Sequence, residues 1–299
     1  MAELSYILCL LFIIVYSLHT VLCREGRILN GEPATLGLFA SQVQIRLKKR
    51  NLHKCGGSLV EETHVVTAAV CIDGLAADKL SVMGGDVSLY ETTVGSRQFR
   101  DVDMIIIHPS YNPKIDRWAY NVAVLKLSMA FIQNKYLEPV AMIRTVNKNS
   151  TECYVPGWGV GSIKDKAPTA ADRLYYSELF IVDIVACGHC AEKTLCAMHP
   201  SMQEGPCEGD EGGGLYCNGY LRGIYAGSFN ECTGAGATFG DIIQLGPWIK
   251  SILVWEGDGE IPLPLPEGRR LAIGRKAGSG GSRSYTESIF ILLAYLWLL

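Results

Sequence analysis

Cys207-Glu208-Gly209-Asp210-Glu211-Gly212-Gly213-Gly214 is the stretch that decides the fold, a glycine-rich turn with two adjacent carboxylates behind a cysteine. Alone, such an acidic turn reads as a solvated surface loop, and the chain around it argues otherwise. The apolar runs on either side are short, alternate with polar residues and are separated by Gly, Pro and Asn turns, which is the pattern of antiparallel strands. Composition is that of an ordinary globular domain, 48% hydrophobic with a net charge of −3 over 299 residues. It carries no basic footprint for nucleic acid. No histidine pair stands at the ligand spacing of a zinc motif such as His-Glu-x-x-His, so neither a metal nor another cofactor is expected.

Residues 1–23 contain an apolar run from Ile7 to Val15 and compact residues at Val21-Leu22-Cys23. They read as a secretory signal peptide, too short to span a bilayer, and place the mature N-terminus near Arg24. Secretion makes the cysteines legible. Of the 11, Cys9 and Cys23 belong to the signal and its edge, leaving Cys55, Cys71, Cys153, Cys187, Cys190, Cys196, Cys207, Cys217 and Cys232. In an oxidising compartment these read as disulfides with one cysteine left over. A glycosylation sequon, Asn149-Ser150-Thr151, suits such a protein.

Further segments give the turn its context. Cys55-Gly56-Gly57-Ser58-Leu59-Val60 is followed by Val65-Val66-Thr67-Ala68-Ala69-Val70-Cys71, then by Tyr120-Asn121-Val122-Ala123-Val124-Leu125-Lys126-Leu127. Cys153 with Pro156-Gly157-Trp158-Gly159, and Pro247-Trp248-Ile249 near the end, complete the set. With these motifs the chain resembles the chymotrypsin-like and trypsin-like serine proteases. The resemblance implies an all-β fold of two packed antiparallel six-stranded β-barrels with a C-terminal helix, over residues 28–254. It also implies disulfides Cys55–Cys71, Cys153–Cys217 and Cys207–Cys232, and a bond from Cys196 to Cys187 or Cys190.

The same resemblance assigns site positions, and the residues there depart from the family. Val70 stands where the general-base histidine would be, Asn121 at the aspartate and Glu211 at the nucleophilic serine. Valine accepts no proton, a neutral amide does not stabilise an imidazolium, and a carboxylate is a poor acyl-transfer nucleophile. The backbone N–H groups of Gly209 and Glu211 take the oxyanion-hole positions. Arg27-Ile28 resembles a zymogen activation site whose new amino group would pair with Asp210. Gly205 forms the floor of the primary specificity pocket and Ala226-Gly227-Ser228 its wall, without the family's aromatic residue. The positions of a calcium loop, Gly85 and Arg97, are not acidic. His53, His64, His189 and His199 read as lying away from the cleft or in loops, and His108 as structural.

Residues 24–27 are a short activation segment, and beyond 254 the composition changes. Residues 255–288 form a Gly/Pro/Ser-rich, partly basic linker, and 289–299 an apolar tail of 11 residues, short of the roughly 20 needed to span a bilayer as a helix. Small residues at Gly278, Ser279 and Gly280 before that tail fit a glycolipid-anchor signal. The expectation is a protease homologue that is not an enzyme, secreted or on the extracellular face of the plasma membrane. Its partner would be an extracellular protein, such as an active protease, a zymogen or an inhibitor, and its role that of a regulator in extracellular proteolysis. The alternatives are a cell-surface adhesion or receptor-like module, and a hydrolase using Glu211 unconventionally.

Overall fold

The computed structural model describes residues 28–264 apart from 91–94, 146–151, 160–171, 190, 229–231, 233 and 235. The signal segment, Arg27, Asn149, Cys190, Gly278, Ser279, Gly280 and the apolar tail lie outside the described residues.

The first barrel is built from β2 (Gln42–Leu47), β3 (Leu52–Glu61), β4 (His64–Thr67), β5 (Leu80–Gly84), β6 (Gln98–Ile107) and β7 (Ala123–Leu127), closed in the order β2-β3-β4-β7-β6-β5. The second uses β8 (Glu152–Gly157), β9 (Tyr175–Val182), β10 (Thr194–Met198), β11 (Gly214–Cys217), β12 (Tyr220–Gly227) and β13 (Ala237–Asp241). Pairing of β8 with β9 closes it, and the short β1 (Glu32–Pro33) adds to β9 from outside. Helix α1 (Ile242–Leu253) follows. This is the two-barrel, all-β architecture with a C-terminal helix that the resemblance implies.

Val43, Ile45, Leu59, Val65, Val82 and Leu125 fill the first core, and α1 packs Leu245, Trp248, Ile249 and Ile252 against it. Val155, Leu179, Leu215, Tyr225 and Phe239 fill the second, together with Ile28. Each such side chain is worth about 1.5–3 kcal/mol of burial. Helix α1 begins where it does because Asp241 caps it, its Oδ1 accepting the Ile243 N–H at 2.8 Å. Bridges join Cys55–Cys71, Cys153–Cys217, Cys187–Cys196 and Cys207–Cys232. Of the two partners left open for Cys196, the structure therefore uses Cys187.

Residues 255–264, expected as the start of a solvated linker, lie back on the barrels. Trp248 Nε1 donates to Pro262 O at 3.2 Å and Lys126 Nζ to Glu256 O at 3.2 Å. The compact unit reaches Pro264, because two tryptophans find backbone acceptors in this segment, Trp255 Nε1 bonding Asp258 O. Among the described residues no helix is long and apolar enough to cross a membrane.

The barrels meet along a polar seam that positions the site. Buried Gln42 donates through Nε2 to Pro156 O at 3.4 Å, and its Oε1 accepts from Gly214 N–H at 3.3 Å and Tyr216 O–H at 3.0 Å. Ser58 on β3 bonds the same Tyr216 hydroxyl at 2.9 Å.

Candidate functional site

The turn of residues 207–214 lies on this seam. Gly56 N–H of the first barrel donates to Glu211 O at 2.9 Å, and Gly212 N–H donates to Tyr225 O of the second at 2.8 Å. Gly212 has φ +79°, and a Cβ there would lie 2.1 Å from Thr67 Oγ1, so only glycine lets the turn approach this closely. Fixed in this way, the Glu211 side chain folds back on its own loop. Its Oε2 accepts the Gly209 N–H at 2.8 Å, and the Glu211 N–H bonds the same carboxylate. Both oxyanion-hole donors are thus already bonded to the Glu211 carboxyl group. Burial pushes the Glu211 carboxyl above its ordinary range, against the pull of those two N–H groups.

Asp210 is buried beside it. Its Oδ1 accepts the Gly159 N–H at 2.6 Å and its Oδ2 the Cys207 N–H at 3.0 Å. Burial dominates and pushes its pKa up to about 7, with the Glu211 charge adding to the rise. Ile28 is already inside the second core, and Leu29 N–H donates to Gly205 O at 2.9 Å. The start of the described chain therefore lies beside the pocket floor, and among the described residues no cation pairs with Asp210.

Val70 sits in a single 3-10 turn, Ala69–Cys71, with its side chain 42% exposed. Its N–H donates to Asn121 Oδ1 at 2.9 Å. Asn121 is fully buried and its Nδ2 finds no acceptor, a cost of about 1–3 kcal/mol for an unmet donor. Cys71 Sγ lies 3.4 Å from Glu211 O. The fold therefore brings the three degenerate positions together at one end of the seam.

At the specificity pocket, Gly205 has φ +154° and Gly227 φ +138°. A Cβ on Gly227 would lie 3.0 Å from Trp118 Nε1, and Trp118 packs with Ala226 and Ala191. The wall expected to lack an aromatic residue is thus covered by one from the loop before β7. The pocket itself contains Tyr225, only 1% exposed, whose hydroxyl donates to Pro206 O at 3.3 Å and lies 3.0 Å from Ser228 Oγ. Sequence reasoning missed both aromatic residues.

Two histidines lie nearer the site than expected. His53, on β3, donates from Nε2 to Gly209 O at 2.9 Å and so supports the oxyanion turn from behind. Burial lowers its pKa to about 4 and keeps it neutral. His189 lines an open cavity of about 620 Å³ with Asp116, Arg117, Trp118, Glu208 and Glu211, and its Nε2 meets Asp116 Oδ2 at 2.9 Å. Burial alone would raise the Asp116 carboxyl, but the N–H groups of Trp118 and Ala119 and the His189 ring outweigh it and hold the pKa below its ordinary value. Sequence distance hid both histidines, since their partners are 156 and 73 residues away. His108 is structural, stacked on Tyr120 with centroids 5.0 Å apart.

The trypsin family profile matches residues 28–249, and the chain belongs to that family. Among curated proteins it is 30% identical over 220 residues to trypsin-10 of Gadus morhua, covering 71% of this chain and 85% of that one. It is 29% identical over 213 residues to chymotrypsin-like elastase family member 1 of Bos taurus, covering 68% and 77%. The solved "atomic resolution structure of HBP" superposes with a TM-score of 0.68 at 22% identity, covering 78% of this chain and all of that one, and shares the fold. These matches overturn the expectation that the chain is not an enzyme. Its relatives are trypsins and elastases, so the family evidence points to a protease. The substitutions at Val70, Asn121 and Glu211 remain facts of the site, and they are no positive sign of inactivity.

Proposed function

We propose that this chain is a secreted member of the trypsin family that binds an extracellular protein partner through its cleft and regulates extracellular proteolysis. The partner is an active protease, a zymogen or an inhibitor. The observation that carries this reading is the bond from Gly209 N–H to the Glu211 carboxylate beside an open cavity. A carboxylate at that spot ties the loop back on itself, and the cavity beside it is large enough to take part of a polypeptide segment. Four disulfides support an oxidising, extracellular setting. The sequon at Asn149 and the Gly278-Ser279-Gly280 signal support a glycosylated, lipid-tethered form at the cell surface.

The test is capture of partners from extracellular fluid on the immobilised chain, followed by measurement of the captured protease's rate with and without the soluble chain. Recovery of a protease or its inhibitor, with a changed rate, supports the reading. Recovery of a membrane receptor alone, with no effect on any protease, would replace it with the adhesion alternative.

A further inference from the structure

Tyr225 occupies the place where a bound segment would send a side chain inward. Its position is set by the backbone, because its N–H donates to Gly213 O at 2.8 Å and its carbonyl accepts the Gly212 N–H at 2.8 Å. The phenol hydroxyl lies between the floor and the wall of the pocket. On one side it reaches Pro206 O, one residue past the floor at Gly205, and on the other Ser228 Oγ. The ring leans on Phe239 with centroids 5.5 Å apart. The space left around Gly205, bounded by Leu179, Ala197, Met198 and Gly236, has no room for a water-sized sphere. A buried tyrosine whose hydroxyl is satisfied at both ends is a fixed part of the wall. Burial first, and then the charge of Glu211, keep the phenol protonated, its pKa well above the ordinary value.

We infer that Tyr225 is the resident occupant of the primary specificity pocket and determines the specificity of the cleft: a bound polypeptide segment presents glycine or alanine at that point, and lysine, arginine and aromatic side chains are shut out. Gly205 fits this assignment, since a floor whose surroundings admit no water-sized sphere has no side chain to pair with and needs no charge. The ligand class rests on the cleft-binding function proposed above, whereas the filled pocket does not.

Phenol is the probe for the pocket. Tyr225→Ala leaves a cavity of nearly its shape with the Pro206 carbonyl still in place, and an apolar cavity of this size takes up a small aromatic molecule. By calorimetry and ligand-observed NMR, Tyr225→Ala should bind phenol at least about tenfold more tightly than the unaltered chain, and phenol should raise the melting temperature of that variant alone. Tyr225→Phe keeps the ring, should fold as the parent does and should exclude phenol. Parent and Tyr225→Ala binding phenol equally, or neither binding it, would overturn the inference. A second arm titrates tetrapeptide amides that differ only in the last residue. The parent should prefer glycine or alanine to phenylalanine or lysine, and Tyr225→Ala should lose that preference. Equal affinity of the parent for all four would refute the assigned class. The phenol result needs no partner, so failure to capture a protease or inhibitor would sink the regulatory role and leave Tyr225 in the pocket.

Discussion

Replacing Asp210 with asparagine should flatten the pH dependence of stability in the chain left uncleaved at Arg27. Burial raises the folded pKa of Asp210 to about 7 from its ordinary 3.8. The folded state therefore holds the proton more tightly than the unfolded state. Below 3.8 both states are protonated and the full stability is present. As pH rises, the unfolded chain releases its proton first, and stability falls until the folded carboxyl ionises near 7. At about 1.4 kcal/mol per pKa unit the whole loss is roughly 4 kcal/mol, a large share of the 5–15 kcal/mol typical of a folded protein. Between pH 5 and pH 8 roughly 2–3 kcal/mol of it should appear. Asparagine does not titrate. Its oxygen can keep the Gly159 N–H, but its NH2 then faces the Cys207 N–H, a mismatch of about 1–3 kcal/mol at every pH. The readout is thus the slope and not the absolute stability. Urea denaturation of both proteins at pH 5 and pH 8, with Arg27→Gln in each to prevent cleavage, gives that slope. Glu211 is present in both, and its coupling to Asp210, last among the causes of the shift, is the only part of its contribution that survives the difference. A gap between the two proteins that stays the same at the two pH values would refute the buried-carboxyl argument. Cleavage after Arg27 should supply an ammonium group from Ile28, and the cleaved parent should then lose most of the dependence.

Other outcomes follow from the same geometry. The triple change Val70→His, Asn121→Asp and Glu211→Ser should hydrolyse an activated ester faster than the parent, and keeping Asn121 should forfeit on the order of 10⁴ of that gain, as for the corresponding aspartate in the family's triad; equal rates for triple variant and parent would contradict it. Glu211→Ala should free the Gly209 N–H for small anions, seen as an acetate-dependent shift of the Gly209 amide resonance that the parent lacks. Gly212→Ala should destabilise the fold by more than about 2 kcal/mol, because its Cβ would meet Thr67 at a positive φ; a melting temperature equal to the parent's would show that the turn can move. If Gly278, Ser279 or Gly280 carries a lipid anchor, a phosphatidylinositol-specific phospholipase should release the protein from cells, and an intact C-terminal peptide ending in Leu299 would disprove it.

The frame of the molecule was legible because it is written locally. Cysteine spacing, the Cys55–Val60 and Ala123–Leu127 strands and the turn at Gly209 each lie within a few consecutive residues, and short alternating runs specify strands whatever surrounds them. The degenerate positions Val70, Asn121 and Glu211 were legible for the same reason. What could not be read were pairings set by tertiary approach. Nothing in the residues near His53 announces Gly209, and the Asp116–His189 pair joins a loop before β7 of the first barrel to one between β9 and β10 of the second. Trp118 over Gly227 is an example of one loop covering a wall that was expected to lack an aromatic residue. The return of 255–264 onto the barrels depends on two indole N–H groups that a reading of composition overlooks. The role of the protein was the least legible part, since it was inferred from three side chains, and the family match corrected its claim about enzymatic class.

Gln42 has a consequence for how the cleft can work. With its amide group shared among Pro156, Gly214 and Tyr216, and with Gly56 tied to Glu211, the two barrels are held across their waist by buried hydrogen bonds. Opening it would strand several buried polar groups together, so the two halves should open only in global unfolding and not as a breathing motion. A partner would then meet a jaw that does not close. Its association should be close to rigid docking, limited by orientation, and its selectivity should come from the loops at the rim and not from a change of shape in the body.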